Sequence, residues 1–284
     1  MAKSVLHAAI GILVGRGDLD IGRPAPVRAW SRPGDPRAAI TLDQLLRMSS
    51  GLRFDGDETT PQDLPTIRML FGDGKDDVAS FAAGFPLDAP TDTVFSYSSG
   101  TSNILSAIVG ARVGGGEAGM RTFLTRELFD PIGIRSAEPR FDASGTWIAS
   151  SFLSATARDF ARLGLLYLRD GMWGEDRILP AGWVDYARTP TPTGSGDYGA
   201  HFWLAQDGSG TFTANGFLGQ YTVMVPARDL VLVRLGRTST DQKRDLVLAL
   251  AEITECFPRL ETSRTDTSRT DTSGWTLRAD HRRS

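Results

Sequence analysis

Few side chains in this 284-residue sequence could do covalent chemistry, and their spacing excludes several reactions at once. Histidine occurs at positions 7, 201 and 281, each in an unrelated context, so nothing points to a serine–histidine triad. There is no Gly-x-Ser-x-Gly elbow, no His-Glu-x-x-His pair and no phosphate-binding glycine loop. The acidic runs Asp55-Gly56-Asp57-Glu58 and Asp73-Gly74-Lys75-Asp76-Asp77 lack the ligand spacing of a calcium loop and read as solvated surface. A single cysteine, Cys256, excludes an internal disulfide and any cysteine-based zinc site. Lysine is equally sparse, at positions 3, 75 and 243 only. Lys3 is the one lysine near the start of the first helical pattern, where an ammonium could activate a neighbouring hydroxyl.

Five segments matter together: Met1-Ala2-Lys3, residues 40–52 (ITLDQLLRMSSGL), Phe95-Ser96-Tyr97-Ser98-Ser99-Gly100, residues 154–162 (SATARDFAR), and Asn215-Gly216-Phe217-Leu218-Gly219-Gln220. In this order and at these distances they resemble the β-lactamase-related serine hydrolases. That group includes class C β-lactamases, penicillin-binding D,D-peptidases, some esterases and the 6-aminohexanoate-dimer hydrolases. The resemblance covers about residues 1–256. It implies an α+β, β-lactamase/transpeptidase-like fold and acyl transfer to a serine of a Ser-x-x-Lys motif on the central helix. Residues i and i+3 share a helix face, so the lysine lies beside the hydroxyl it activates. The partial positive charge of a helix N-terminus favours the developing oxyanion.

Carried over residue by residue, the resemblance makes Lys3 the motif lysine and Tyr97 the tyrosine of Tyr-x-Asn. The Tyr97 phenol would relay a proton between hydroxyl, leaving group and water. A tyrosine titrates near pH 10 unperturbed, so a lysine neighbour is needed to favour its ionised form. Ser99 stands in the asparagine position, and Ala214-Asn215-Gly216 replaces Lys-Thr-Gly on the edge strand. That family lysine helps to hold a β-lactam carboxylate, so the pattern is nearer the esterase and aminohexanoate-dimer hydrolase branch. Gly216 would let the strand approach substrate, and the Phe217 amide would donate to the oxyanion. Trp147, Ser150 and Ser151 fall in a loop that borders the cleft in the family. Trp147 there either shapes the acyl pocket or is a buried structural residue.

The serine itself would occupy the position immediately before Met1. No Ser-x-x-Lys occurs elsewhere, because position 72 is Gly and position 240 is Thr. The expectation is therefore an N-terminally truncated hydrolase, inactive as written, whose first strands are missing. The alternative is a pseudoenzyme that keeps the cleft for a ligand or peptide. The resemblance implies a small ester or amide substrate and neither metal nor organic cofactor.

The elements that must hold these residues are readable in outline. Val5, Leu6, Ala9, Ile10 and Leu13 repeat at helical spacing, and Gly15 and Gly17 end the helix. Thr41 and Gln44 make a capping-box pattern. Further helices are expected near 76–84, 102–113, 118–129 and from a Ser154 cap through Leu168, with Trp183 to Arg188 read as the end of this mainly helical region. From Tyr198 the period becomes strand-like, with candidates at 199–205, 211–215, 219–225 and 230–235. Pro226-Ala227-Arg228-Asp229 makes a hairpin turn between the last two. Residues 241–256 read as a closing amphipathic helix. The expected organisation is one domain over 1–258, with a helical region at about 40–190 and a sheet with final helix at about 198–256. Residues 259–284, with a repeated Ser-Arg-Thr-Asp-Thr, read as a disordered tail.

With 40% hydrophobic residues and a net charge of −3, the chain can bury a sizeable core and offers no basic surface for nucleic acid or anionic membrane. No apolar run approaches the roughly 18 residues of a membrane span. The compartment is not specified; a chain complete as written, with no leader, would be cytoplasmic.

Overall fold

The computed structural model describes residues 1–54 and 60–260. The run Asp55-Gly56-Asp57-Glu58 and nearly all of the expected tail lie outside the described residues.

The central element is α1 (Ala2–Gly15), in which Ala2 through Leu13 are all buried. A helix buried on every side can be apolar throughout, which is why its periodicity is only modest. Around it come α2 (Leu42–Leu46), α3 (Pro65–Phe71), α4 (Val78–Ala83), α5 (Ser99–Val113) and α6 (Gly116–Leu124), the last continued by a π-turn at Thr125–Phe129. The block is completed by α7 (Ala157–Leu168) and α8 (Trp183–Arg188). Two short antiparallel ribbons join the loops: β1 (Glu138–Pro139) with β2 (Leu153–Ser154), and β3 (Met172–Trp173) with β4 (Asp176–Arg177).

The main sheet is antiparallel in the order β5-β6-β7-β8, formed by Trp203–Leu204, Phe212–Gly216, Gln220–Val225 and Leu230–Arg234. Its alternation sorts two faces. Thr222, Met224 and Val231 meet α7, where Gly164 permits close approach: a Cβ there would lie 2.6 Å from Val231. Tyr221, Val223 and Val225 pack instead with Val247 and Leu250 of α9 (Lys243–Glu255). Helices and antiparallel strands thus segregate into the expected α+β architecture.

Some boundaries differ from the sequence reading, for local reasons. The Thr41 capping box forms in full. Ser154, however, pairs with Glu138 in a ribbon, and Thr156 caps α7 by accepting from the Asp159 amide. Helix α5 starts three residues early because Ser98 caps it. The strand expected at 199–205 shrinks to Trp203–Leu204, since the Gly199 amide turns back onto the Phe202 carbonyl at 2.9 Å.

Candidate active site

Lys3 sits in the first turn of α1 and is 7% exposed. An ammonium this deep needs polar partners. It donates to the Ser150 carbonyl at 2.8 Å and to Ser99 Oγ at 3.4 Å, and lies 4.9 Å from the centre of the Tyr97 ring. Three separate segments therefore converge on one cation.

Each is fixed by its own neighbours. Tyr97 immediately precedes the α5 cap. The Ser96 amide donates to the Met48 carbonyl at 2.9 Å, tying this extended segment to the end of α2. The Tyr97 ring stands edge-on to Tyr198 at 5.7 Å and packs on Trp203 at 5.4 Å. Helix α5 presents Ser99 at its first position, then holds the 147–151 loop with two further polar residues. Asn103 Oδ1 accepts from the Ser150 amide at 3.0 Å, and Ser106 Oγ donates to the Trp147 carbonyl at 2.7 Å.

The sheet closes the other side. The Met1 nitrogen donates to the Asn215 carbonyl at 2.6 Å, so the start of α1 abuts the end of β6. A Cβ on Gly216 would lie 2.8 Å from the Gln220 Cβ and 3.5 Å from Met1 Sδ, which leaves glycine as the residue that fits. Leu218 and Gly219 take left-handed φ values of 57° and 86°, folding a tight tip that leaves the Phe217 side chain 86% exposed. Gln220 Nε2 braces this tip by donating to the Phe217 carbonyl at 3.1 Å.

Of the residues singled out in the sequence, Lys3, Tyr97 and Ser99 meet directly, with Asn215 and Gly216 against the same helix start. Phe217 lies at the exposed tip beside them. Trp147 is the correction: it is buried, and its indole nitrogen donates to the Phe152 carbonyl at 3.0 Å. It takes the structural role, while Trp203 is the tryptophan that packs on Tyr97. The second acidic run is also accounted for locally. Asp73 pairs with Arg68, whose hydrogen bond holds its carboxyl below the usual range, and Asp77 caps α4.

Sequence reasoning missed Trp203, Asn103 and His201. Asn103 left a faint signal, as an amide beside the apolar run Ile104-Leu105 inside a helix. His201 left none: its left-handed φ of 60° and its contact with the Lys3 carbonyl at 2.8 Å arise only from the fold. Burial, followed by the Lys3 charge, lowers the His201 pKa to about 3, so the ring is neutral near pH 7.

A buried lysine, a tyrosine, the serine at the start of α5 and a glycine-opened strand thus meet in one place. The Beta-lactamase family model matches residues 1–253, and the chain belongs to that family. A curated relative, the 6-aminohexanoate-dimer hydrolase of Paenarthrobacter ureafaciens, is 26% identical over 256 residues, covering 83% of this chain. The chain spans 64% of the length of that relative. Among solved structures, a Bacillus anthracis protein described as a 6-aminohexanoate-dimer hydrolase superposes with a TM-score of 0.74 at 22% identity, over 91% of this chain and 72% of that one. A penicillin-binding protein from Bacillus halodurans superposes with a TM-score of 0.66 at 18% identity, over 89% and 84% of the two chains. The expected β-lactamase/transpeptidase-like fold is therefore the fold observed.

Proposed function

We propose that this chain carries the proton-transfer half of a serine acyl hydrolase acting on esters or small linear amides. The observation that carries the reading is the buried Lys3 ammonium held between Ser99, the Ser150 carbonyl and the Tyr97 ring. In the proposed cycle a serine hydroxyl attacks the substrate carbonyl while Tyr97, supported by Lys3, takes its proton. The tetrahedral intermediate collapses as that proton passes to the leaving alcohol or amine. Water then attacks the acyl-serine, losing its proton by the same route, and the acid departs. On this reading amides at the end of β6, the Phe217 amide among them, would stabilise the oxyanion.

The hydroxyl this cycle requires belongs three residues ahead of Lys3, a position adjoining the Met1 nitrogen and so facing Asn215. None of the 284 residues supplies a serine in that relation to any lysine. A second reading has the cleft bind a ligand or peptide without turnover.

The substrate preference rests on Ala214, which is buried and apolar where lactamases carry lysine, and on the 6-aminohexanoate-dimer hydrolase relative, whose name gives a 6-aminohexanoate dimer as what it hydrolyses. The test uses a form extended so that a serine stands immediately before Met1. We expect it to hydrolyse a butyrate ester and to turn over a chromogenic cephalosporin poorly. Cephalosporin turnover at class C β-lactamase levels would refute the substrate assignment. No turnover of esters or linear amides by a folded extended form would favour the ligand-binding reading.

A further inference from the structure

We propose that His201 is a positioning residue for Lys3, a side-chain clamp that fixes the first turn of α1 against the helix carrying Ser99. The inference rests on the reading that Lys3 does proton chemistry, but it is tested without turnover.

His201 touches that turn twice. Its Nδ1 lies 2.8 Å from the Lys3 carbonyl, and its own carbonyl accepts from Ser4 Oγ at 2.9 Å. A carbonyl can only accept, so Nδ1 carries the proton and Nε2 is left as an acceptor. Ser102 Oγ lies 3.4 Å from Nε2, and Ser102 is one helical turn beyond Ser99 on α5. The imidazole thus bridges the Lys3 turn to the Ser99 helix with a fixed tautomer. The Nδ1–H bond to the Lys3 carbonyl is available in either charge state, whereas Nε2 accepts from Ser102 only in the neutral ring.

The backbone adds a second, independent observation. His201 is buried at a φ of 60°, a conformation that costs any residue with a Cβ and persists where the surroundings hold it. Glycine would relieve that strain. A histidine kept there suits a position whose side chain is needed. Tyr167 braces the same turn from behind, donating to the Ser4 carbonyl at 3.3 Å. His201 adds a second link between the turn and α5, beside the Lys3 contact with Ser99 Oγ.

The test exploits the three lysines of the chain. With 13C-labelled lysine, Lys3, Lys75 and Lys243 give three Cε signals that can be assigned by substitution. In His201→Gly, which keeps the left-handed backbone without strain, we expect the Lys3 signal to move by more than its linewidth toward that of exposed Lys75. His201→Asn tolerates the same φ and presents an amide donor to the Lys3 carbonyl, so it should restore most of the wild-type position. Ser102→Ala should give a smaller shift in the same direction, which keeps the proposal testable if the glycine variant does not fold. A folded His201→Gly protein whose Lys3 signal stays in place would overturn the clamp. So would Ser102→Ala and His201→Asn spectra that show no graded effect. In the serine-extended form, the clamp predicts that His201→Gly lowers kcat by roughly tenfold to a hundredfold with little change in KM. Equal losses in kcat across all three variants would contradict it.

Discussion

Lys3 and Ser150 are 147 residues apart in sequence, yet the ammonium of one donates to the carbonyl of the other at 2.8 Å in a buried setting. The Ser150 peptide is held from its other side as well, since its N–H donates to Asn103 Oδ1 at 3.0 Å. The backbone of one residue, through its N–H on one side and its carbonyl on the other, thus links the helix bearing Ser99 to the cation beside it.

Replacing Asn103 should loosen this link. Asn103→Leu leaves the Ser150 N–H buried without its acceptor, which costs about 1–3 kcal/mol. Urea unfolding at neutral pH measures it. A stability loss well below 1 kcal/mol would mean that the Ser150 peptide finds another partner.

Stability should also fall on mild acidification. His7 and His201 are buried, and burial is the main cause that lowers both pKa values, that of His201 to about 3; the charges of His201 and Arg47 add to it at His7, and that of Lys3 at His201. The unfolded chain protonates both near pH 6.5, so below that value unfolding takes up protons. The contribution is full above pH 6.5 and is lost as pH falls toward the folded values. Between pH 6 and pH 4 His201 should cost about 1.4 kcal/mol per pH unit, and His7 adds to the loss in the same direction. Denaturant midpoints at pH 7 and pH 5 read this, and coincident curves would show the rings to be protonated in the fold.

The outer strand of the sheet carries a further expectation. In β8, Leu230, Val231, Leu232 and Val233 are all only partly buried, whereas β7 is buried from Tyr221 to Val225. Among the described strands β8 has a partner on one side only. An apolar edge without proline, its one charge at the terminal Arg234, templates strand addition. The purified 284-residue chain should associate with rising concentration in sedimentation velocity; a monomer throughout the micromolar range would contradict this.

How far the sequence disclosed the molecule depended on whether the determining interaction was local. The Thr41–Gln44 box spans three residues and forms as read. Ser154 and Thr156 are equivalent caps by chemistry, and only the pairing of Ser154 with Glu138 selects between them. Lys3, Tyr97 and Ser99 were legible because the resemblance fixes their order. Trp147 and Trp203 were not separable, because which indole meets Tyr97 depends on packing between distant segments. His201 was invisible for the same reason, and for a second: its backbone angle follows from contacts on both sides of it.

The proposed proton path makes its own kinetic prediction in the serine-extended form. Lys3→Ala and Tyr97→Phe should each lower kcat by about a hundredfold or more. Because they share one path, the double variant should lose little beyond the worse single one. Ser99→Ala removes one 3.4 Å contact to Lys3 and should cost less than either. Steady-state kinetics on a butyrate ester separate these outcomes, and a Tyr97→Phe enzyme of full activity would refute the relay.

The most direct measurement is fluorophosphonate labelling followed by mass-spectrometric mapping of the modified residue. The account predicts no labelled serine within residues 1–284 of the chain as it stands, and labelling of the added serine in the extended form, abolished by Lys3→Ala. A label on Ser99, or on any other serine of the 284 residues, would contradict the assignment of the nucleophile to the position ahead of Lys3.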